Sequence, residues 1–541
     1  MMLRAVLLGL VLPAWVSAQG PVVWRPLRTP GSVLEEVQRL QVLVGDVSED
    51  GALLRSAGWP LADDEVRPFV VGGIVPTLHL RANTSLPWGG NDGALRAGRG
   101  WNAVLTGGAF LRRGRVSLVV APQLVYEANR YFPVIPWDQT RVDQRSMWAH
   151  PYLPAPESAD WPLRFGTAPR TQVVPGQSRL AIELSPYARV GLSTENRWWG
   201  PGAFNALLLS ANAPGFVHGF VEMPRPWRTR AGAVEAQYLL GALRESPVFD
   251  RDPANDRRSL SAVGVVWHPA PTLAFLPTVG LARAVMAAGP VGVDHLLDAI
   301  RDVGRPVTTP ADIARHGHRD QITELFLRWA VPEAGVAAYA EWARYEFPGS
   351  LRDYLEFPGH TQGYTVGFDV ATPAGRQTML HVRAEATYTE PSTSLRVRPT
   401  GLSYTSAAVP QGWTHEGQML GPFIGPGGSS QHLAADWHGP RRRVGLTLGR
   451  IRWLNGPLFT DVVPGGQGKL MDVSLFGALR AAFPVGAAAA QVELTHGVRL
   501  AYLNQALLRD PVRGFYDGVD FRTWSLAMTL TPSARGFFFR R

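Results

Sequence analysis

Residues 379–390 read Met379-Leu380-His381-Val382-Arg383-Ala384-Glu385-Ala386-Thr387-Tyr388-Thr389-Glu390. In an extended chain, successive side chains point to opposite faces. Met379, His381, Arg383, Glu385, Thr387 and Thr389 therefore share one face, and Leu380, Val382, Ala384, Ala386 and Tyr388 the other. A charged face backed by an apolar one suits a strand with a wet lumen on one side and hydrocarbon on the other. Residues 77–83 repeat the pattern, with Leu78, Leu80 and Ala82 opposed to Thr77, His79, Arg81 and Asn83. So do residues 491–502, where His496 is the exception on its apolar face. Similar candidates lie at 101–112, 115–128, 178–194, 203–212, 233–242, 260–268, 272–286, 321–331, 334–346, 361–371, 415–424, 430–439, 443–453, 469–483 and 520–532. Together they predict an all-β membrane protein, an antiparallel transmembrane β-barrel of about 18 strands.

A soluble propeller or tandem sandwich would also alternate. The apolar faces here, however, carry Leu, Val and aromatic residues in nearly every segment. The chain has 18 Trp, 13 Tyr and 22 Phe. Many stand at predicted strand ends, among them Trp101, Trp267, Tyr339, Trp342, Tyr345, Trp437, Trp453 and Trp524. Aromatic residues at strand ends form the interfacial girdles of membrane barrels. Two stretches break the pattern. Residues 32–47 place Val33, Leu34, Val37, Leu40 and Val44 at helical spacing, with Ser32 as N-cap and Glu35-Glu36 in the first turn. Residues 292–303 put Leu296, Leu297 and Ile300 on one face, and residues 310–316 add a further turn. Long stretches at 129–177, 243–259, 346–360 and 389–413 read as surface loops. The first, with Trp137, Trp148, Tyr152 and Trp161, is too long to be a mere connection.

Residues 1–18 have the form of a secretory signal: Arg4, an apolar core, then Val16-Ser17-Ala18 as a small-residue cleavage site. Export to the outer membrane through a cleaved signal peptide is the expected localisation. The domains expected are the signal (1–18), an N-terminal helical plug segment (19–66), and a barrel (67–541) with an inserted helical segment near 292–318. There is no cysteine, which excludes disulfides and thiolate metal sites. No cofactor and no metal are expected, because His360, His415 and the Arg315-His316-Gly317-His318 stretch lack compact ligand spacing. The net charge is +9, and Lys469 is the single lysine among 53 basic residues. Guanidinium forks grip carboxylates and phosphates, so acidic polysaccharide and lipopolysaccharide fit better than nucleic acid, whose usual basic tract is missing.

The most unusual span is residues 194–226, TENRWWGPGAFNALLLSANAPGFVHGFVEMPRP. Trp198-Trp199-Gly200-Pro201-Gly202 makes a rigid aromatic corner, since Pro fixes φ and Gly permits positive φ. Glu195, Asn196, Arg197, Trp198, Trp199 and Asn212 are the residue types that bind sugars by stacking and planar hydrogen bonds. The competing reading makes the indoles girdle or packing residues and Asn212 a turn cap. His360, Gln362, His415 and Gln418 add a candidate polar lumen cluster, or four unrelated polar residues.

This span, with Asn212-Ala213-Pro214-Gly215-Phe216, resembles the signature of the capsule assembly Wzi family. Ala340-Glu341-Trp342, His360-Thr361-Gln362-Gly363-Tyr364, and Thr414-His415-Glu416-Gly417-Gln418 followed by Leu420-Gly421-Pro422 and Ile424-Gly425-Pro426-Gly427 resemble further segments in family order, over residues 190–430. The chain departs from the usual aromatic barrel terminus by ending Phe537-Phe538-Phe539-Arg540-Arg541. The resemblance implies an outer-membrane lectin that binds and anchors capsular polysaccharide or exopolysaccharide, a monomer, not an enzyme. It also implies a small α-helical plug on the periplasmic side, for which 32–47, 292–303 and 310–316 are the candidates. The alternatives are a diffusion porin and, with no Gly-x-Ser-x-Gly elbow or recognisable carboxylate pair, an outer-membrane hydrolase.

Overall fold

The computed structural model describes residues 23–57, 69–135, 145–153, 157–273, 275–398, 401–455, 471–505, 515 and 518–532. The signal segment, Lys469, Trp137 and the aromatic C-terminal run lie outside the described residues. A closed antiparallel wall of 18 strands forms one barrel. It starts at Phe69–Asn83 and Gly100–Arg113. Two broken strands follow. Val116–Val120 with Gln123–Glu127 both pair with Gly100–Arg113, and Arg170–Val174 with Arg179–Ser185 pair with them in turn. Ala188–Ser193 then pairs with His218–Glu222, which shares its neighbour, Gly232–Arg244, with Trp227–Thr229. The meander continues through Arg257–Pro269, Thr278–Ala288, Arg319–Val331, Val336–Arg344, Gln362–Gly375, Thr378–Tyr388, Ser429–His438, Arg443–Arg452, Val473–Val485, Ala488–Leu500 and Phe521–Thr531. The last strand pairs with the first, Ser525 opposite Asn83. No helix among the described residues is long and apolar enough to cross a membrane.

The alternation sorts as the three founding segments predict. His381, Arg383, Glu385 and Thr387 face inward and are buried, while Leu380 is exposed on the outer face. Leu446, Leu448, Leu475, Leu479, Leu494 and Leu526 extend the outer apolar band. His496 faces outward as well, packed on Trp524 with ring centroids 4.3 Å apart. Trp101, Tyr126, Tyr364 and Trp524 ring the end with long connections, and Trp227, Trp329, Trp437 and Phe483 ring the end with short turns. Short turns mark the periplasmic end of such barrels and long loops the outer face. Three expected girdle residues point inward instead: Tyr339 donates to Glu385, Tyr345 packs on Tyr404, and Trp453 sits under Arg499.

Two expected strands, 203–212 and 415–424, are not in the wall. They fold into the bore, where Leu207, Leu208, Leu209, Trp413, Met419 and Leu420 join one apolar cluster. Their ten-residue alternation is the length of a spanning strand, but Ala188–Ser193 paired with His218–Glu222, and Thr378–Tyr388 paired with Ser429–His438, close the wall without them. The helix Val33–Leu43, capped by Ser32, lies across the bore at the short-turn end. Leu40 and Leu43 pack on Ala337, Ala371 and Met379, beside short turns. The segments at 293–297 and 310–316 are helical, as expected, but cannot help close that end. They belong to the connection between Ala288 and Arg319, at the opposite end of the barrel.

Leu446 faces lipid and Gln491 faces the bore. We predict that Leu446→Arg costs about 2–4 kcal/mol in urea unfolding from lipid vesicles, and Gln491→Arg less than about 1 kcal/mol.

Candidate functional site

The bore is filled unevenly, and one turn sets the boundary. Arg197–Trp199 pairs antiparallel with Leu54–Ser56 inside the barrel. It runs into Gly200-Pro201-Gly202, where Gly200 has φ 103°. A Cβ on Gly202 would stand 1.9 Å from the Asn205 carbonyl oxygen, and one on Gly200 2.4 Å from Glu341 Oε1. Only glycine fits either place. The wall supplies acceptors for the amides of this turn. Glu341 accepts from Gly202 N at 2.7 Å and Leu207 N at 3.2 Å. Glu385 accepts from Ala203 N at 2.6 Å, Phe204 N at 3.1 Å and Asn205 N at 2.8 Å. The carbonyls of the turn are taken by two cations. Arg39 donates to Pro201 O and Gly202 O, each at 2.8 Å. Arg55 donates to Gly200 O at 3.1 Å and Gly202 O at 2.7 Å.

The helix that carries Arg39 is held to the wall by a second charge cluster. Glu36 accepts from Arg383 at 3.1 Å, Arg443 at 2.5 Å and Arg480 at 3.3 Å, and Asp436 stands between the same three arginines. Burial pushes the Glu36 carboxyl up, but the guanidinium groups of Arg443, Arg383 and Arg480 outweigh it and hold the group well below the usual carboxylate range. Glu35 is likewise lowered: burial opposes it, and Arg55 and Arg39 prevail.

The proposed sugar contacts now have places. Trp198 and Trp199 are 1% and 0% exposed. Trp199 donates to Gln237 at 3.1 Å within the apolar cluster, and Trp198 lies under Arg55. Glu195 and Arg197 belong to a buried ion network with Arg179 and Glu222. Glu195, Arg197 and Trp199 are thus all buried and bonded to neighbouring side chains. The four expected lumen residues do not form a cluster. His360 pairs with Ser394 at 3.1 Å in the long connections. Gln362 faces outward and accepts from Trp342 at 3.0 Å. His415 accepts from Arg244 N at 3.0 Å, and Gln418 donates to Asn212 O at 2.9 Å. Alternation and motif spacing do not register whether a segment ends in a wall, a plug or a rim.

Opposite the plug, a cavity of about 630 Å³ remains. It reaches from Thr29 and Glu36, near the short turns, to Phe132 and Trp161 at the long-connection end. Four expected residues line it: Asn196, Trp198, Asn212 and Gln418. Most of its wall was not singled out from the sequence. Trp88, Phe132, Phe165, Trp453, Phe476 and Tyr502 supply aromatic surface, and Arg96, Arg164, Arg499, Asp92 and Glu493 supply charge. The one sequence signal was Trp88 ahead of Gly89-Gly90-Asn91-Asp92-Gly93, a turn composition that follows an aromatic residue. Arg499 is bound to both oxygens of Asp472 at 2.7 Å and lies over Trp453 and Tyr502, 4.8 and 4.7 Å from the ring centroids. His150 stacks on Trp161 with centroids 5.4 Å apart and planes 2° apart. Burial, with Arg499 adding to it, pushes His150 down to about 3, so this ring is neutral. Trp198 Nε1, Asn91 Oδ1, Gln418 Oε1 and Gln491 Oε1 lack a hydrogen-bond partner among the described residues. Flat faces, charged forks and unpaired polar atoms in one cavity suit a polyhydroxylated ligand. The one grouping of metal-ligating side chains among the described residues is Asp302, Asp312 and His316. It lies on the 289–318 connection, where Arg319 already binds Asp312.

The family model for the capsule assembly protein Wzi matches residues 188–475, just over half of the chain. A solved structure of Wzi from Escherichia coli, described as a carbohydrate-binding β-barrel involved in group 1 capsule assembly, superposes with a TM-score of 0.58 at 12% identity, covering 94% of this chain and 99% of that one. Pseudomonas aeruginosa OccK2 (OpdF) in complex with glucuronate matches with a TM-score of 0.39 at 11% identity, covering 84% and 98%. No curated protein sequence matches the chain.

Glu385→Ala leaves the amides of Ala203, Phe204 and Asn205 without their acceptor and costs on the order of 3 kcal/mol, read as earlier unfolding of the unheated, fast-migrating band in detergent gels. The folded Glu36 carboxyl lies below its unfolded value, so its contribution is full above pH 4.5 and fades only as pH falls through the lowered folded value. Protease resistance of residues 26–57 thus persists through pH 4.5 in the native chain, and Glu36→Gln removes that acid dependence.

Proposed function

This chain belongs to the Wzi capsule assembly family, and from that premise we propose that it binds capsular polysaccharide or exopolysaccharide in the bore cavity and holds it at the outer surface. The observation that carries the reading is the cavity itself: half-buried Trp88, Trp161 and Trp453 with Arg96, Arg164 and Arg499 on one continuous lining. Aromatic faces stack on the C–H patches of sugar rings, and guanidinium forks pair with uronate or other acidic substituents. Binding is non-covalent. A repeating polymer engages many copies at once, so a weak single contact still gives firm attachment through avidity. Within this reading, Asn196, Asn212 and Gln418 are contact residues. Glu195, Arg197, Trp198 and Trp199 set the plug that shapes the cavity. His360, Gln362 and His415 serve the rim and the plug.

The chain is exported with residues 1–18 removed and works as a monomer without a cofactor. In its domain plan, the 19–66 segment closes the periplasmic end and the barrel follows. A diffusion porin draws on the same cavity, since its lining runs nearly the length of the bore. The lectin reading favours the aromatic walls, which give a permeating solute little reason to move on.

Retention on immobilised acidic capsular polysaccharide tests the proposal. Trp88→Ala and Trp161→Ala each weaken retention about threefold to tenfold, while Trp199→Phe leaves it unchanged. A deletion strain sheds its capsule into the medium. If the purified protein conducts ions freely in planar bilayers and no glycan is retained, the porin reading replaces this one.

A further inference from the structure

The guanidinium groups that line the bore cavity differ in whether a carboxylate already holds them. Arg81 pairs with Asp92 at 3.1 Å, and Arg383 and Arg480 with Asp436 at 3.2 and 2.7 Å. Arg499 pairs with Asp472 at 2.7 Å. Arg96 stands 3.9 Å from Glu127 and 4.0 Å from Glu416. Arg164, the remaining arginine of the lining, has no carboxylate within ion-pair distance among the described residues, although it is 4% exposed. Its Nε donates to Asn129 Oδ1 at 3.4 Å and its Nη2 to Asn129 O at 2.8 Å. Nη1 makes no hydrogen bond among the described residues. The rings of Tyr131, Phe132 and Trp148 surround the group, with centroids 5.6, 5.8 and 5.5 Å from the guanidinium carbon.

The fork is held in place. Asn129 has φ 43°, a left-handed conformation that asparagine tolerates. Its Nδ2 donates to the carbonyls of Phe165, Gly166 and Ala168 at 3.0, 3.1 and 3.0 Å. One residue thus fixes two nitrogens of Arg164 and the loop that follows it. A buried cation without a counter-charge is costly, and ring faces offset part of that cost. The third nitrogen is left for an anion. Arg164 lies in the long connection between Gln123–Glu127 and Arg170–Val174, hence at the outer mouth. Glu493 lines the cavity from the short-turn half of Ala488–Leu500 and has no cation partner among the described residues, so an anion is repelled further in. We propose that Arg164 is the residue that selects an acidic glycan. It binds the carboxylate of one sugar at the mouth, while Arg96 and Arg499 keep their own carboxylates. The inference rests on the glycan reading of the cavity and deepens it by naming the acid group and its place.

The test compares retention of the full-length protein in detergent on three forms of one immobilised acidic capsular polysaccharide. The first is native, the second has its carboxyls reduced to alcohols with carbodiimide and borohydride, and the third has lost ketal-linked acids to mild acid. The unsubstituted protein is expected to be held about tenfold more firmly by the native than by the reduced polymer. Arg164→Gln brings that ratio close to one. Arg164→Lys keeps the charge but loses the planar fork, and gives an intermediate ratio. Arg251→Gln, which removes an exposed arginine of another long connection, keeps the full ratio. Heat-shifted gel migration confirms that each variant is folded. Loss of the preference after mild acid assigns the carboxylate to a ketal-linked acid, and its persistence to a uronate; both support the site. Equal retention of native and reduced polymer by the unsubstituted protein overturns the assignment, whether or not the variants fold. So does a folded Arg164→Gln that keeps the tenfold preference, or an equal loss in Arg251→Gln. If the unsubstituted protein retains none of the three polymers, the cavity reading itself has failed. Equal retention of all three leaves the cavity reading standing and removes the acid site alone.

Discussion

The interior depends on two glutamates of the wall that accept the amides of one turn. Glu341 and Glu385 take N–H groups from Gly202 through Leu207, and Arg39 and Arg55 take the carbonyls of the same turn. A turn buried inside a barrel has no strand to pair with, and leaving its polar backbone groups unpaired costs several times a net hydrogen bond. The wall therefore had to contribute carboxyl acceptors, and the N-terminal segment guanidinium donors. Once both are in place the plug has one position. Its apolar residues then fill one side of the bore, and the cavity is what is left on the other.

The same accounting explains where the charges sit. The wall buries arginines and carboxylates on its inner face in paired clusters, because an isolated buried charge is far more costly than a compensated one. Glu36 reaches from the helix Val33–Leu43 into the cluster of Arg383, Arg443, Arg480 and Asp436 and ties plug to wall at the short-turn end. On the outer face the rule is harsher, since lipid offers no water. Arg283 and Arg319 are tolerated there because the 289–318 connection supplies carbonyls and carboxylates and seals them from hydrocarbon. The basic surplus of the described residues is thus spread over buried pairs, a cavity lining and a rim.

The motif residues show how a signature and a binding site differ. Trp198-Trp199-Gly200-Pro201-Gly202 has the composition of a sugar site, yet its glycines answer to contacts of 1.9 and 2.4 Å with Asn205 and Glu341. Glu341 of the Ala-Glu-Trp segment is the acceptor for that turn, so two distant motifs are halves of one clamp. Asn196, Asn212 and Gln418 reach the cavity because they stand on the plug's open flank. The aromatic residues that complete the lining come from five separate connections and strands, and each is unremarkable alone.

Alternation of side chains determined the barrel from the sequence, because a strand between water and hydrocarbon admits only one assignment of its two faces. The Ser32 cap with its apolar spacing determined the helix. Tertiary structure alone decided that residues 203–212 and 415–424 leave the wall, that Tyr339 and Trp453 turn inward, and that the 292–316 segment lies outside the barrel at the far end. Those outcomes depend on which neighbour satisfies a backbone amide or a guanidinium group, and such partners lie up to hundreds of residues away, where no local period records them.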